Sequence, residues 1–226
     1  MNQYVNVARS TARSADSVLA TNKVIRNTYT LLSMTILFSA LTAGFAMMTN
    51  AQPVHWLIIL VVFLGGPFVI KALRNSAMGL VAIFAFTGAM GYILGPILSL
   101  YLALPNGSQI VTTAFGLTGV IFLGLSGYAL VSRKNFSFMG GFLMVGFLVM
   151  LAAIVLNIFL EIPALSLAIS AAMVLLLSAG ILYESSAMVH GGESNYITMT
   201  VALYTSIFAL LMHLLNLLQF FMGGDD

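Results

Sequence analysis

One acidic residue, Glu184, interrupts the apolar run "AAMVLLLSAGILYESSAMV" (171–189), with no Lys or Arg near it. A carboxyl group at that position can attract a cation or exchange a proton, and an ionisable residue inside a membrane segment is a functional candidate by default. Its plainer alternative is a solvated side chain at the wet end of a helix. A second group of polar residues lies further on. At 100° per residue Thr198, Thr205, Ser206, His213 and Asn216 fall within an arc of about 100° on one helix. A stripe that narrow faces protein or water rather than lipid. Hydrogen bonding between helices is the favoured reading, and a water-lined path is the alternative. Glu184, Ser206, His213 and Asn216 are therefore the candidate residues for an ion path or for pH sensing. His213 is the sharpest of the stripe, since an imidazole ordinarily titrates near neutrality. The chain contains no cysteine, which excludes disulfides, thiolate metal sites and cysteine nucleophiles. No His, Asp or Glu cluster has metal-ligand spacing, so neither a metal nor a cofactor is expected.

These residues must be positioned by elements built almost wholly of apolar side chains. Of 226 residues, 61% are hydrophobic and 6% charged, against about 25% charged in ordinary soluble domains; the mean hydropathy is +1.07. Seven apolar runs, at 28–49, 54–70, 77–103, 109–131, 138–160, 163–189 and 196–222, approach or exceed the roughly 20 residues that cross a bilayer. They are continuous rather than alternating, which excludes barrel strands. The expected fold is all-α: a polytopic seven-helix membrane bundle over 28–222, a flexible cytoplasmic tail over 1–27, and a short acidic outer tail over 223–226. Gly95-Pro96, in the run "GYILGPIL" (91–98), is expected to kink the third helix, because proline removes a backbone hydrogen bond. Glycines cluster at 88, 91 and 95, at 116, 119, 124 and 127, and at 140, 141 and 146. Small residues let helix backbones approach closely in lipid, so tight bundle packing is expected at all three clusters. No internal repeat of the kind that builds secondary transporters is evident.

Orientation follows from charge. Arg9, Arg13, Lys23 and Arg26 lie in the tail, Lys71 and Arg74 after the second run, and Arg133 and Lys134 after the fourth. All are on one side of a seven-span chain, and the positive-inside rule places that side, with the N-terminus, in the cytoplasm. The C-terminus then lies outside, which in a bacterial inner membrane is the periplasm. The net charge of +2 is small and the basic residues form no stripe, so nucleic acid is not an expected partner; the lipid bilayer is. No apolar core precedes Thr28, so the first run should remain as a span instead of being cleaved as a signal peptide. The tail lacks a large apolar face and is expected to be disordered or loosely held at the inner leaflet. His55 and Trp56 read as interfacial anchors. Glu161, His190 and Glu193 read as solvated loop residues.

The segments "GYILGPIL", "GLSGYALVSRKNFSFMGGFL" (124–143) and "ILYESSAMVHGGESNYITMTVALY" (181–204) resemble the Bax inhibitor-1 family, and within it the bacterial YccA-type branch. The resemblance runs from about residue 25 to the end, with the motifs in order. It implies a seven-helix bundle whose last helix is central. It implies no enzymatic activity and two roles. One is association with the membrane-anchored, ATP-driven protease FtsH, and with membrane proteins around it, as a substrate that also restrains the protease. The other is a pH-sensitive calcium leak governed by a pair of carboxylates on the sixth and seventh helices, with calcium as the transported species. Glu184 matches the first acid of that pair. In "LYTSIFALL" (203–211) the matching position of the second acid is Ser206, so the pair is half gone.

Depth decides what remains. If the sixth helix stops at His190-Gly191-Gly192, Glu184 lies about 9 Å from its end, and Ser206 lies about 15 Å beyond Tyr196 from the same face. The depths agree to within a helical turn, so contact is expected if the faces agree. A carboxylate and a hydroxyl cannot share a proton as two carboxylates do, so a di-acid latch is not supported. Depth also disposes of an enzyme reading. "GLSG" (124–127) resembles the serine motif of rhomboid intramembrane proteases, but Ser126 lies about 8 Å and His213 about 25 Å from the cytosolic face. That gap far exceeds the roughly 3 Å reach of a nucleophile and its base. The chain is thus expected to be a regulatory membrane protein that offers FtsH its tail, with a cation leak as the alternative.

Overall fold

The computed structural model describes the backbone of residues 2–223 and the side chains of residues 21–223. Seven helices follow one another: α1 Asn2–Met48, α2 Trp56–Leu73, α3 Ala77–Leu102, α4 Gly107–Ser132, α5 Met139–Leu160, α6 Pro163–Val189 and α7 Tyr196–Met222. All seven are long and apolar enough to cross a membrane, α1 over Thr21–Met48. Most boundaries fall within a residue or two of the apolar runs. The exceptions are the start of α1, at Asn2, and α2, which starts at Trp56 and continues past the end of its run to Leu73. His55 caps α2, its Nδ1 accepting from the Leu57 N–H at 3.3 Å, and its ring stacks on Trp56.

At the N-terminus the helix begins well before the apolar run does. The helix of the first span extends back to Asn2. Nothing in the sequence stops it, since no glycine precedes Gly44 and no proline precedes Pro53, and Ala, Arg, Lys and Gln all favour helix. Side chains of residues 1–20, Arg9 and Arg13 among them, lie outside the described residues, as do Asp225 and Asp226.

α7 is the central element, packing against α1, α2, α3, α4 and α6. Its buried residues come from most sides of the helix, among them Ile197, Leu203, Leu210 and Leu215. By contrast, among the described residues α5 packs on α6 alone. α5 is the most apolar of the seven spans, yet only Leu143 along it is buried. Lipid accounts for this inversion. Hydrocarbon tails are as apolar as leucine, so the greasiest helix has no reason to leave them, and association is driven by fit and hydrogen bonds.

Fit is closest between α1 and α3, which make the most extensive helix pair. A Cβ on Gly91 would come within 2.1 Å of the Ser39 carbonyl oxygen, and one on Gly95 within 2.6 Å of the Ala46 methyl. Gly88 likewise leaves room for the Phe38 ring. Gly95 therefore serves the contact with α1, and α3 continues through Pro96 to Leu102. On α4 the packing expectation fails: added Cβ atoms at Gly116, Gly119, Gly124 and Gly127 would all meet open space. α4 turns Ile110, Ala114, Thr118, Ser126 and Ala129 into the bundle instead, leaving its glycines off that face. The third cluster divides, Gly146 fitting against Leu176 and Gly140 against Tyr183, with Gly141 open.

Both ends of the bundle are tied. At the end carrying the basic loops, Arg74 pairs with Glu193 at 3.0 Å, and the Asn195 side-chain amide donates to the Arg74 carbonyl and to Asn75. Glu193 is thus half-buried in an ion pair rather than solvated, and it also accepts from the Asn195 N–H. Ser186 donates to the Lys134 carbonyl and accepts from the Phe136 N–H, bringing the α4–α5 loop to the same end. α6 ends at Val189, and Gly191 adopts φ +70 beyond it, the left-handed turn that favours glycine after a helix. At the far end Asn106 donates to the Met222 carbonyl, and Glu161 lies exposed in its short turn.

Candidate functional site

The acid of α6 and the hydroxyl of α7 meet. Ser206 donates to the Glu184 carboxylate, with both oxygens at 3.2 Å. Ser206 is buried, and Glu184 is half-buried between α6 and α7. The Gly-rich C-cap of α6 sets the depth of Glu184. Asn195 sets the start of α7, its side chain accepting from the Ile197 and Thr198 N–H groups. Among the described residues Glu184 enters no ion pair.

The carboxylate opens into a cavity of about 370 Å³ between α2, α5, α6 and α7. Its walls are carbon, from side chains such as Phe63, Pro67, Met150 and Met173. Thr205 also reaches it but spends its hydroxyl on the Val201 carbonyl at 2.7 Å.

The rest of the stripe is placed differently. His213 Nδ1 lies 3.1 Å from the Ser170 hydroxyl, and the Asn216 amide donates to Ser170 at 2.8 Å and to Ser166 at 3.2 Å. Ser166 and Ser170 are four residues apart on α6 and so share one face. This group lines a second cavity, of about 420 Å³, with Tyr101 and Asn157. Ile154 of α5 lines both cavities. Thus the structure brings Glu184 to Ser206, and His213 to Asn216, as two separate groups about two helical turns apart along α7.

Ser126 is engaged elsewhere. It is buried in bonds with the Tyr29 hydroxyl and with Ser185, joining α1, α4 and α6, while His213 belongs to the Ser170 group. Among the described residues no three His, Asp or Glu side chains gather where a metal ion could sit.

Three connections were not anticipated from sequence. Tyr204 bridges helices: its hydroxyl lies 2.7 Å from Ser39 on α1 and donates to the Thr87 carbonyl on α3 at 3.3 Å. The i, i+4 serines of α6 were a signal of the second, and are half of the His213 network. The Arg74–Glu193 pair was signalled by opposite charges in two loops assigned to one face.

Comparison with known proteins agrees with this architecture. The family described as inhibitor of apoptosis-promoting Bax1 matches residues 21–223. The Escherichia coli K12 protein named modulator of FtsH protease YccA is 44% identical over 211 residues, covering 93% of this chain and 96% of its own. An uncharacterised Pseudomonas aeruginosa protein is 49% identical, over 90% of this chain and 91% of its own. An uncharacterised membrane protein of Vibrio cholerae is 42% identical, over 94% and 96%. With seven spans, a central last helix and a family match along the whole membrane domain, this chain belongs to the Bax inhibitor-1 family, in its YccA-type branch.

Proposed function

We propose that this protein is a non-catalytic regulator of the FtsH protease, residing in the bacterial inner membrane with its N-terminus in the cytoplasm. Similarity to the E. coli relative named modulator of FtsH protease YccA carries this reading, because it extends over nearly the whole of both chains. A second E. coli relative of the same identity and coverage is named inner membrane protein YccA.

The physical rationale has two parts. Residues 2–20 precede the first span and offer a terminal segment that an ATP-driven protease can grip. The bundle behind them resists extraction, because α1 is seated against α3 by glycine contacts and held to α7 by Tyr204. Pulling α1 out would break the Ser39–Tyr204 bond and the Thr200 bond to the Thr28 carbonyl inside hydrocarbon, where lost hydrogen bonds are not replaced by water. A protein that is gripped but slow to unravel occupies the protease and restrains it. Deleting residues 2–20 is expected to abolish degradation by FtsH while leaving membrane insertion intact. Turnover at the parent rate in a pulse-chase experiment would refute the handle.

A cation leak, calcium among the candidates, is a second reading, favoured by two cavities along α5, α6 and α7 that share Ile154 as a lining residue. Glu184 would be the acid on that path. Flux of calcium into liposomes should then be measurable for the parent and altered in Glu184→Gln. Absence of flux in the parent removes the reading.

A further inference from the structure

The cavity at Glu184 is open on one side, and the opening faces lipid. α2 and α5, which form its two lips, do not pack against each other. Leu64 on α2 and Phe147 and Leu151 on α5 stand at this mouth, 39%, 36% and 39% exposed. They lie midway along their helices, so the entrance is at hydrocarbon depth rather than at either aqueous face. A volume of about 370 Å³ falls within the roughly 300–1,000 Å³ range of small-molecule sites.

The chemistry inside selects an occupant. Beyond the mouth the walls are apolar, and the polar groups are Glu184, Ser206 and Thr205. Both hydroxyl protons are spent, that of Thr205 on the backbone and that of Ser206 on the carboxylate. A carboxylate has about four lone-pair sites, so after Ser206 is counted Glu184 keeps acceptor capacity with no further donor among the described residues. An acyl chain would fill the walls and leave those acceptors unserved. An anion would be repelled. Resident calcium requires about six to eight oxygen ligands, and one carboxylate with two hydroxyls falls well short. A protonated nitrogen on an apolar body satisfies both the walls and the acid.

From this geometry we propose that the cleft between α2 and α5 is a binding site for a lipophilic amine, which enters sideways from the bilayer and pairs its nitrogen with Glu184. The proposal is independent of any FtsH interaction, since it needs only the folded bundle.

Equilibrium binding of radiolabelled dodecylamine to the full chain in lipid nanodiscs, corrected with empty nanodiscs, tests it. Dodecanol, with the same chain and no charge, is the comparison ligand. Saturable amine binding is expected, at least about tenfold tighter than alcohol binding, as befits a desolvated charge pair. Glu184→Gln should remove that preference. Leu151→Trp, at the exposed lip, should weaken amine binding without changing thermal unfolding. Amine binding unchanged in Glu184→Gln, or dodecanol bound as tightly as dodecylamine by the parent, would overturn the proposal; the latter would mark the cleft as a lipid-tail groove. Should Glu184→Gln fail to fold, the amine-to-alcohol ratio of the parent and the effect of Leu151→Trp still decide the matter.

Discussion

Buried Ser and Thr side chains stand on several helices of this bundle, Thr28 among them. It is fully buried on α1, its carbonyl accepts from Thr200, and its hydroxyl oxygen has no partner among the described residues. A buried group left unsatisfied costs about 1–3 kcal/mol, and valine has nearly the same shape. Thr28→Val is therefore expected to raise the thermal midpoint in detergent, by an amount equivalent to about 1 kcal/mol; a lowered midpoint would mean that the hydroxyl has a partner. Glu184 is the opposite case, an acid that, among the described residues, Ser206 alone serves. Its meeting with Ser206 was legible in advance, because a Gly-rich cap and a loop-facing start fix the depths of two adjacent helices. The partners of the deeper residues were not. Helical periodicity and rise place His213 and Asn216, but the Ser166 and Ser170 side chains that bind them come from α6, across the contact.

At the scale of elements, length and apolarity mark the seven helices well, and their order of burial poorly. α5 is the greasiest and the most exposed, whereas α7, studded with Thr, Ser, His and Asn, is central. In a membrane the polar side chain is what a helix must hide, so a reading by hydrophobicity alone inverts inside and outside. Glycine patterns carry the same ambiguity. The α3 glycines and the α4 glycines look alike in sequence, yet the first seat a neighbouring helix and the second face open space. Gly91→Ala is expected to destabilise the bundle by about 1–3 kcal/mol, since its methyl cannot fit against the Ser39 carbonyl. Gly116→Ala should be neutral or stabilising by up to about 1 kcal/mol, from helix propensity alone. Thermal unfolding of the two variants side by side checks the contrast, and equal effects would contradict it. The backward extent of α1 was not legible from apolarity, because a polar segment carries no span signal, while the absence of Gly and Pro before Gly44 leaves the helix without a stop.

For the whole molecule, the arrangement ties both ends of the bundle and its first helix. The basic loops gather at one end and are clasped by the Arg74–Glu193 pair, while the other end is closed by the Asn106 contact with Met222. Between them α1 is bound to α3 by close fit and to α7 by hydrogen bonds, so its removal must break both at once. Resistance of α1 to extraction is the property that would turn a substrate of FtsH into a restraint on it. The most direct measurement is co-reconstitution of this protein with FtsH in liposomes, following degradation of a second membrane substrate as the amount of this protein is raised. Degradation is expected to slow progressively, and the two proteins to co-purify. A degradation rate unchanged at saturating amounts, with no co-purification, would contradict the restraint on FtsH.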